Sequence, residues 1–122
     1  MPFFASSLSL AGNSFKTPSN NIACAVYEKV LRCDLKENLA KIPPRPKDCE
    51  LDWGHFFTMG SKGPSMRACA GDTIWGVNDP VLDYGKIWEK EGFRCQSEAT
   101  GLTCINTDQH GWILKKTEQK IF

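Results

Sequence analysis

The best candidates for acid–base or metal chemistry in this 122-residue sequence are its two histidines, His55 and His110. With Asp52, Asp72 or Asp108, an imidazole could transfer a proton or hold a metal ion. Nothing in the spacing requires these side chains to meet. We therefore interpret both histidines as residues that cap a turn or bond a backbone carbonyl, and keep them and Asp52 as catalytic candidates for the structure to place.

Other catalytic patterns are absent from the sequence. It contains no G-x-S-x-G nucleophile turn, no H-E-x-x-H zinc motif and no calcium loop. The glycine-rich run from Gly60 to Ser65 lacks the order that cradles phosphate, so we interpret it as a flexible hairpin loop. The sequence thus predicts no metal site and no cofactor, and it favours a protein that is not an enzyme.

Aromatic side chains offer a second functional hint. Most should lie in the core of a small β protein, but a thin sheet structure cannot bury all of them. An exposed cluster would indicate contact with a protein or a glycan. The candidate binding residues are Trp53, Trp75, Tyr84, Trp88 and Trp112.

The six cysteines favour disulfides over thiol or zinc chemistry, because no two of them form a C-x-x-C pair. They are Cys24, Cys33, Cys49, Cys69, Cys95 and Cys104. The first two and the last two are each nine positions apart. Sequence alone does not choose among the possible pairings, but two stapled β-hairpins would join these pairs and leave Cys49 with Cys69.

Stable disulfides require an oxidising compartment, so we expect an extracytoplasmic protein, periplasmic or secreted. Residues 1–14 are apolar and small but lack a basic n-region. They are typical of a residual signal segment or a flexible native leader, ahead of a single domain at residues 15–122. No apolar run is long enough to span a membrane.

Charge excludes one class of partner. The 15 basic and 14 acidic side chains are thoroughly mixed, for a net charge of +1. No basic stripe could follow a phosphate backbone, so we expect no nucleic-acid partner.

The remaining signals predict an all-β fold. The side chains of residues 22–27 and 30–35 follow a period of two, which is typical of half-buried strands, and in the second run this places Arg32 and Asp34 on the solvent face, opposite the apolar side chains. Turn signals then separate further short strands, including one expected at residues 73–77. Residues 35–42 are compatible with a short helix or an irregular loop. We predict a single small domain of antiparallel hairpins, a meander that is barrel-like or half-closed, stapled by three disulfides and with at most one short helix.

Several short motifs surround the cysteines in a characteristic order. F-K-T-P-S-N-N-I-A-C (15–24), C-E-L-D-W-G (49–54), C-A-G-D-T (69–73) and G-F-R-C-Q-S (92–97) surround the cysteines. This pattern resembles a group of small exported, cysteine-rich bacterial proteins of unknown function, over most of residues 15–116. The resemblance implies a lone exported domain and no particular activity. Trp112 stands where that group leads us to expect phenylalanine.

These observations favour a non-catalytic extracytoplasmic binding module. Its partner would be another protein or a cell-envelope polymer, and it could act as an inhibitor or immunity-type protein on a secreted or envelope enzyme. The alternatives are a small hydrolase or metal-dependent enzyme that uses His55 or His110 with an aspartate, and a structural envelope component. The sequence leaves the oligomeric state open.

Overall fold

The protein consists of two antiparallel β-sheets of five strands each, in a computed structural model that describes residues 12–75 and 79–122. The first sheet contains β1 (Ser14–Lys16), β2 (Ile22–Tyr27), β3 (Val30–Leu35), β4 (Asp52–Gly60) and β5 (Ser65–Ala70). The second contains β6 (Ile87–Lys90), β7 (Phe93–Glu98), β8 (Gly101–Ile105), β9 (Gly111–Leu114) and β10 (Gln119–Ile121). The predicted all-β class with three disulfides is confirmed.

Each sheet is a meander, because strands that are adjacent in sequence are also adjacent in space. The β2–β3 hairpin turns through Glu28 and Lys29, whose φ angles of 53° and 64° are those of the tight turn that matches strand twist. The β7–β8 hairpin turns at Ala99 and Thr100, since Glu98 pairs with Gly101. Its register places Cys95 opposite Cys104, as the nine-residue step predicts.

The sheets remain open but are linked at their edges. Lys16 of β1 forms a parallel bridge with Val81, in the segment that leads to the second sheet. At the far edge, the Ser65 hydroxyl donates to the Gly111 carbonyl at 2.7 Å. The fold is therefore a half-closed sandwich. The described residues contain no helix, and so no helix long and apolar enough to cross a membrane.

A row of four buried side chains crosses the inner face of each sheet, and the two rows match position by position. The rows are Phe15, Cys24, Cys33 and Phe57 in the first sheet, and Trp88, Cys95, Cys104 and Trp112 in the second. Phe15 packs on Trp88 with ring centroids 5.1 Å apart, and Phe57 packs on Trp112 at 6.0 Å. Equivalent positions therefore meet across the core, as an approximate two-fold axis between the sheets would require.

The three disulfides all close within one sheet or its loops. Cys24–Cys33 and Cys95–Cys104 join neighbouring strands, with Cα atoms 4.1 and 4.0 Å apart, and all four cysteines are buried. Close Cα approach of this kind is found at non-hydrogen-bonded pairs of antiparallel strands. The third bridge joins Cys49, in the loop before β4, to the exposed Cys69 of β5. No sulfur bond connects one sheet to the other.

Of the two alternatives for residues 35–42, the structure shows the irregular loop: residues 36–51 contain no helix, since the prolines at 43 and 44 prevent helical continuation. One expected strand needs correction. Residues 73–75 are not a strand, because the Ile74 backbone amide donates to the Asp34 side chain and not to a neighbouring strand. Residues 76 and 77 of that expected strand lie outside the described residues.

The leader expected at residues 1–14 falls largely on residues 1–11, which also lie outside the described part of the chain. Regular structure begins within its last positions. Ser14 starts β1, and the Gly12 carbonyl accepts a hydrogen bond from the Trp88 indole at 3.0 Å.

Arg67 is an exception to the apolar inner face of the first sheet. It pairs with Phe57, its guanidinium lies 5.4 Å from the Phe57 ring centroid, and its buried Nη1 has no hydrogen-bond partner among the described residues. Burial lowers the pKa of Arg67, because the charged form loses solvation. The matching position in the second sheet, opposite Trp112, is Ile121.

We therefore expect Arg67→Met to raise the free energy of unfolding by on the order of 1 kcal/mol, as measured by urea denaturation. The matched control is Arg94→Met, since Arg94 is exposed and its ion pair with Glu89 is long, at 3.9 Å. Arg94→Met should change the free energy of unfolding by no more than about 0.5 kcal/mol. A larger loss for Arg67→Met than for Arg94→Met would contradict the unpaired state of Arg67.

Candidate functional site

A segment that we call the strap, residues 71–75, lies over the outer face of β3 and forms one wall of the candidate site. Three side chains at alternate positions, in β3 and directly after it, contact the strap. Arg32 donates to the Asp72 carbonyl, Asp34 accepts from the Ile74 backbone amide at 3.1 Å, and the Lys36 ammonium lies 4.3 Å from the Trp75 ring centroid. Alternate residues of an extended chain share one face, so this spacing holds the strap along its length.

Asp34 is the centre of this attachment. Its side chain is only 2% exposed although it lies on the outer face, because the strap covers it. Arg32 donates to its two carboxylate oxygens at 2.7 and 3.1 Å, and the Thr73 hydroxyl donates at 3.4 Å. The carboxylate is thus paired with a guanidinium and accepts four hydrogen bonds, one at Oδ1 and three at Oδ2. We call Arg32 and Asp34 the clamp.

The charge on Arg32 is also held in place. Burial alone would lower the pKa of Arg32, but the hydrogen bonds and negative charge of Asp34 outweigh it, so the pKa is raised. The guanidinium in addition lies 4.8 Å from the Phe56 ring centroid. Arg32 therefore stays positively charged in any ordinary buffer.

The strap and the outer face of the first sheet enclose a cleft of about 370 Å³. Its lining is mainly apolar and consists of Asp34, Leu35, Lys36, His55, Phe56, Thr73 and Trp75. His55 Nδ1 donates to the Leu35 carbonyl at 2.9 Å, which fixes the ring. This leaves Nε2, for which the described residues offer no partner. The free polar groups of the cleft are therefore His55 Nε2 and Lys36 Nζ.

The structure does not bring the two histidines together. His55 lies near the start of β4, whereas His110 lies in the β8–β9 loop, which contacts the chain just after the end of β4. His110 Nδ1 is 3.4 Å from the Phe122 carbonyl. Asp52 is exposed at the start of β4, opposite Ala70.

The five aromatic candidates also separate. Trp88 and Trp112 are fully buried in the core. The Trp53 indole donates to the Pro43 carbonyl at 2.9 Å and so anchors the proline-rich loop. Tyr84, 47% exposed, lines a different groove between the sheets, of about 190 Å³. Trp75 is the candidate that lines the cleft with His55.

Within the described residues, three potential metal ligands converge at one place only. The Sγ atoms of Cys24, Cys33 and Cys104 lie within 4.8 Å of one another in the core. Each sulfur is already bonded in a disulfide, so this group reflects the packing of the two core bridges against each other.

Sequence reasoning missed Lys36 and placed Asp34 on a solvent face. The available signal was the alternation Arg-Cys-Asp-Leu-Lys at residues 32–36, which puts three charges on one side of an extended chain. Thr73 carried no comparable signal, because its role depends on how the strap lies over β3.

The fold and the cleft together define a small all-β sandwich, braced by disulfides, with an apolar surface cleft under the strap. The chain belongs to the family of unknown function DUF6636, whose profile matches residues 5–122. No curated protein and no solved structure matches it significantly.

Proposed function

We propose that this protein is a non-catalytic extracytoplasmic binding module and that the cleft under the strap is its binding site. The observation that carries the proposal is the state of Asp34. The one carboxylate in the cleft wall is buried, paired with Arg32 and hydrogen-bonded by the strap. A catalytic base must be within reach of its substrate, whereas this carboxylate accepts four hydrogen bonds and its side chain is 2% exposed.

The rest of the cleft also suits recognition. Phe56 on the first sheet and Trp75 on the strap supply apolar surface, and a disulfide braces that sheet, so little conformational entropy is lost when a partner docks. Among the described residues that line the cleft, the one carboxylate is Asp34, which is paired with Arg32 and not free to act with His55. An apolar surface with a few fixed polar groups is the usual form of a binding site.

The disulfides support an extracytoplasmic place for this function. Three disulfides with no free cysteine are typical of proteins that work in an oxidising compartment. There the partner would be another protein or a cell-envelope polymer. A rigid module of this kind could act as an inhibitor or immunity-type protein on a secreted or envelope enzyme.

The test is affinity capture from the native envelope and medium with the oxidised protein. We expect Trp75→Ala to lower the retention of the specific partner about tenfold, because a buried aromatic anchor contributes more than 1 kcal/mol to binding. Tyr84→Ala is the matched control, an exposed aromatic outside the cleft, and should retain the partner. Equal retention by the wild type and Trp75→Ala would contradict the assignment of the cleft.

A further inference from the structure

The charges of the cleft do not balance. Asp34 is neutralised by Arg32, with the Arg32 Nε 2.7 Å from a carboxylate oxygen. Glu37, the next acid along the chain, pairs with Lys116 at 3.1 Å. Among the described residues Lys36 has no acidic partner, and its ammonium lies 4.3 Å from the Trp75 ring centroid. The cleft thus presents one unpaired positive charge beside an apolar wall.

From this imbalance we infer that the cleft binds a carboxylate carried by an apolar group, such as an acidic side chain next to an aromatic one on a partner protein. The inference rests on the proposed function. The carboxylate would accept from Lys36 Nζ, while the apolar group packs on Phe56 and Trp75. His55 Nε2 provides a second donor when its ring is protonated, because Nδ1 already donates to Leu35.

A protein partner fits this lining better than a polysaccharide. Sugars need several hydrogen-bonding side chains to replace the water on their hydroxyl groups. Here the Thr73 hydroxyl already serves Asp34 and the Trp75 amide, and the Asp34 carboxylate is in use. Only two free polar groups remain, in a lining that is otherwise largely apolar. That balance favours one charged contact and one apolar contact.

The test compares three small probes by NMR, with the Trp75 indole N–H as the reporter. The probes are 3-phenylpropionate, its neutral analogue 3-phenylpropionamide, and glucuronate, which carries a carboxylate without an apolar group. We expect 3-phenylpropionate to bind about fivefold more tightly than the amide, the upper end of what one partly exposed ion pair contributes. It should also bind more tightly than glucuronate.

Variants identify the group responsible. Lys36→Gln should abolish the preference for the acid over the amide, and Lys36→Arg should restore it, since arginine keeps both the charge and the contact with Trp75. Lys47→Gln, at an exposed lysine outside the cleft, should leave the preference unchanged.

Three outcomes would overturn the inference. They are equal binding of acid and amide, a preference that survives Lys36→Gln, and tighter binding of glucuronate, which would indicate a polymer. If the acid and the amide bind equally at Trp75, the cleft is a binding site but has no preference for a carboxylate. Failure of the binding function itself would appear in the capture experiment.

Discussion

Full reduction of the three disulfides is expected to unfold this protein at room temperature. In the chain-entropy model each nine-residue loop contributes about 2.7 kcal/mol and the Cys49–Cys69 loop about 3.3 kcal/mol. Their sum, about 9 kcal/mol, is comparable to the whole net stability of a small domain. The two core bridges also fill space between the sheets, so opening them disturbs the packing of Phe57 on Trp112. Circular dichroism with and without reductant measures the effect.

Reduction should proceed in two stages, because the bridges differ in exposure. Cys69 is exposed, whereas Cys95 and Cys104 are fully buried. A thiolate must reach a sulfur atom to attack it, so mild reductant should open Cys49–Cys69 first, and alkylation followed by mass spectrometry should locate the label there. The core bridges should open only as the sandwich unfolds.

Two double variants serve as controls for these stages. Cys49→Ala with Cys69→Ala should lose only the stabilisation from loop closure and leave a folded sandwich, whereas Cys24→Ala with Cys33→Ala should lose that stabilisation and also leave a cavity in the core. An unchanged melting curve after all three bridges are demonstrably open would contradict the first expectation. Early labelling of the core cysteines would contradict the second.

Replacing Asp34 by alanine is expected to lower the free energy of unfolding by about 3 kcal/mol. The change leaves the mostly buried Arg32 charge unpaired and removes the acceptor for Ile74 and Thr73. The strap should detach from β3, and Trp75 should become more exposed. Urea denaturation measures the stability, and quenching of tryptophan fluorescence by acrylamide measures the exposure.

The double variant Arg32→Met with Asp34→Leu separates the charge from the packing. Replacing both partners of a buried ion pair by apolar residues is often near neutral, so most of the lost stability should return. Asp48→Ala, at an exposed aspartate in the loop before β4, should change stability by less than about 0.5 kcal/mol. If Asp34→Ala costs no more than Asp48→Ala, the clamp does not hold the strap.

Much of the fold was accessible from the sequence because its signals are local. The nine-residue cysteine steps, the alternation at residues 22–27 and 30–35, and the turn residues between them depend only on neighbours along the chain. They predict the hairpins, their register and the all-β class. Tertiary contacts decide the rest of the strand pattern. Residues 73–75, for example, have a composition typical of a β-strand but form part of the strap.

The site was less accessible, because it depends on a contact between distant segments. Asp34 and Thr73 are 39 positions apart. The period of β3 correctly places Asp34 on the outer face, yet no property of β3 indicates that another segment covers that face. Trp75 and His55 were recognised as candidates, but nothing in their spacing showed that Lys36 would complete the cleft.

The matched rows of the two sheets have a meaning for the origin of the chain. Residues at equivalent positions touch each other across the core, as in the isologous interface of a symmetric homodimer. A chain of half this length, bearing one meander and one cross-strand bridge, could bury its inner face against a second copy of itself. Fusion of two such copies in one gene would yield this arrangement, with each copy keeping its own bridge and one free to acquire the strap on its outer face.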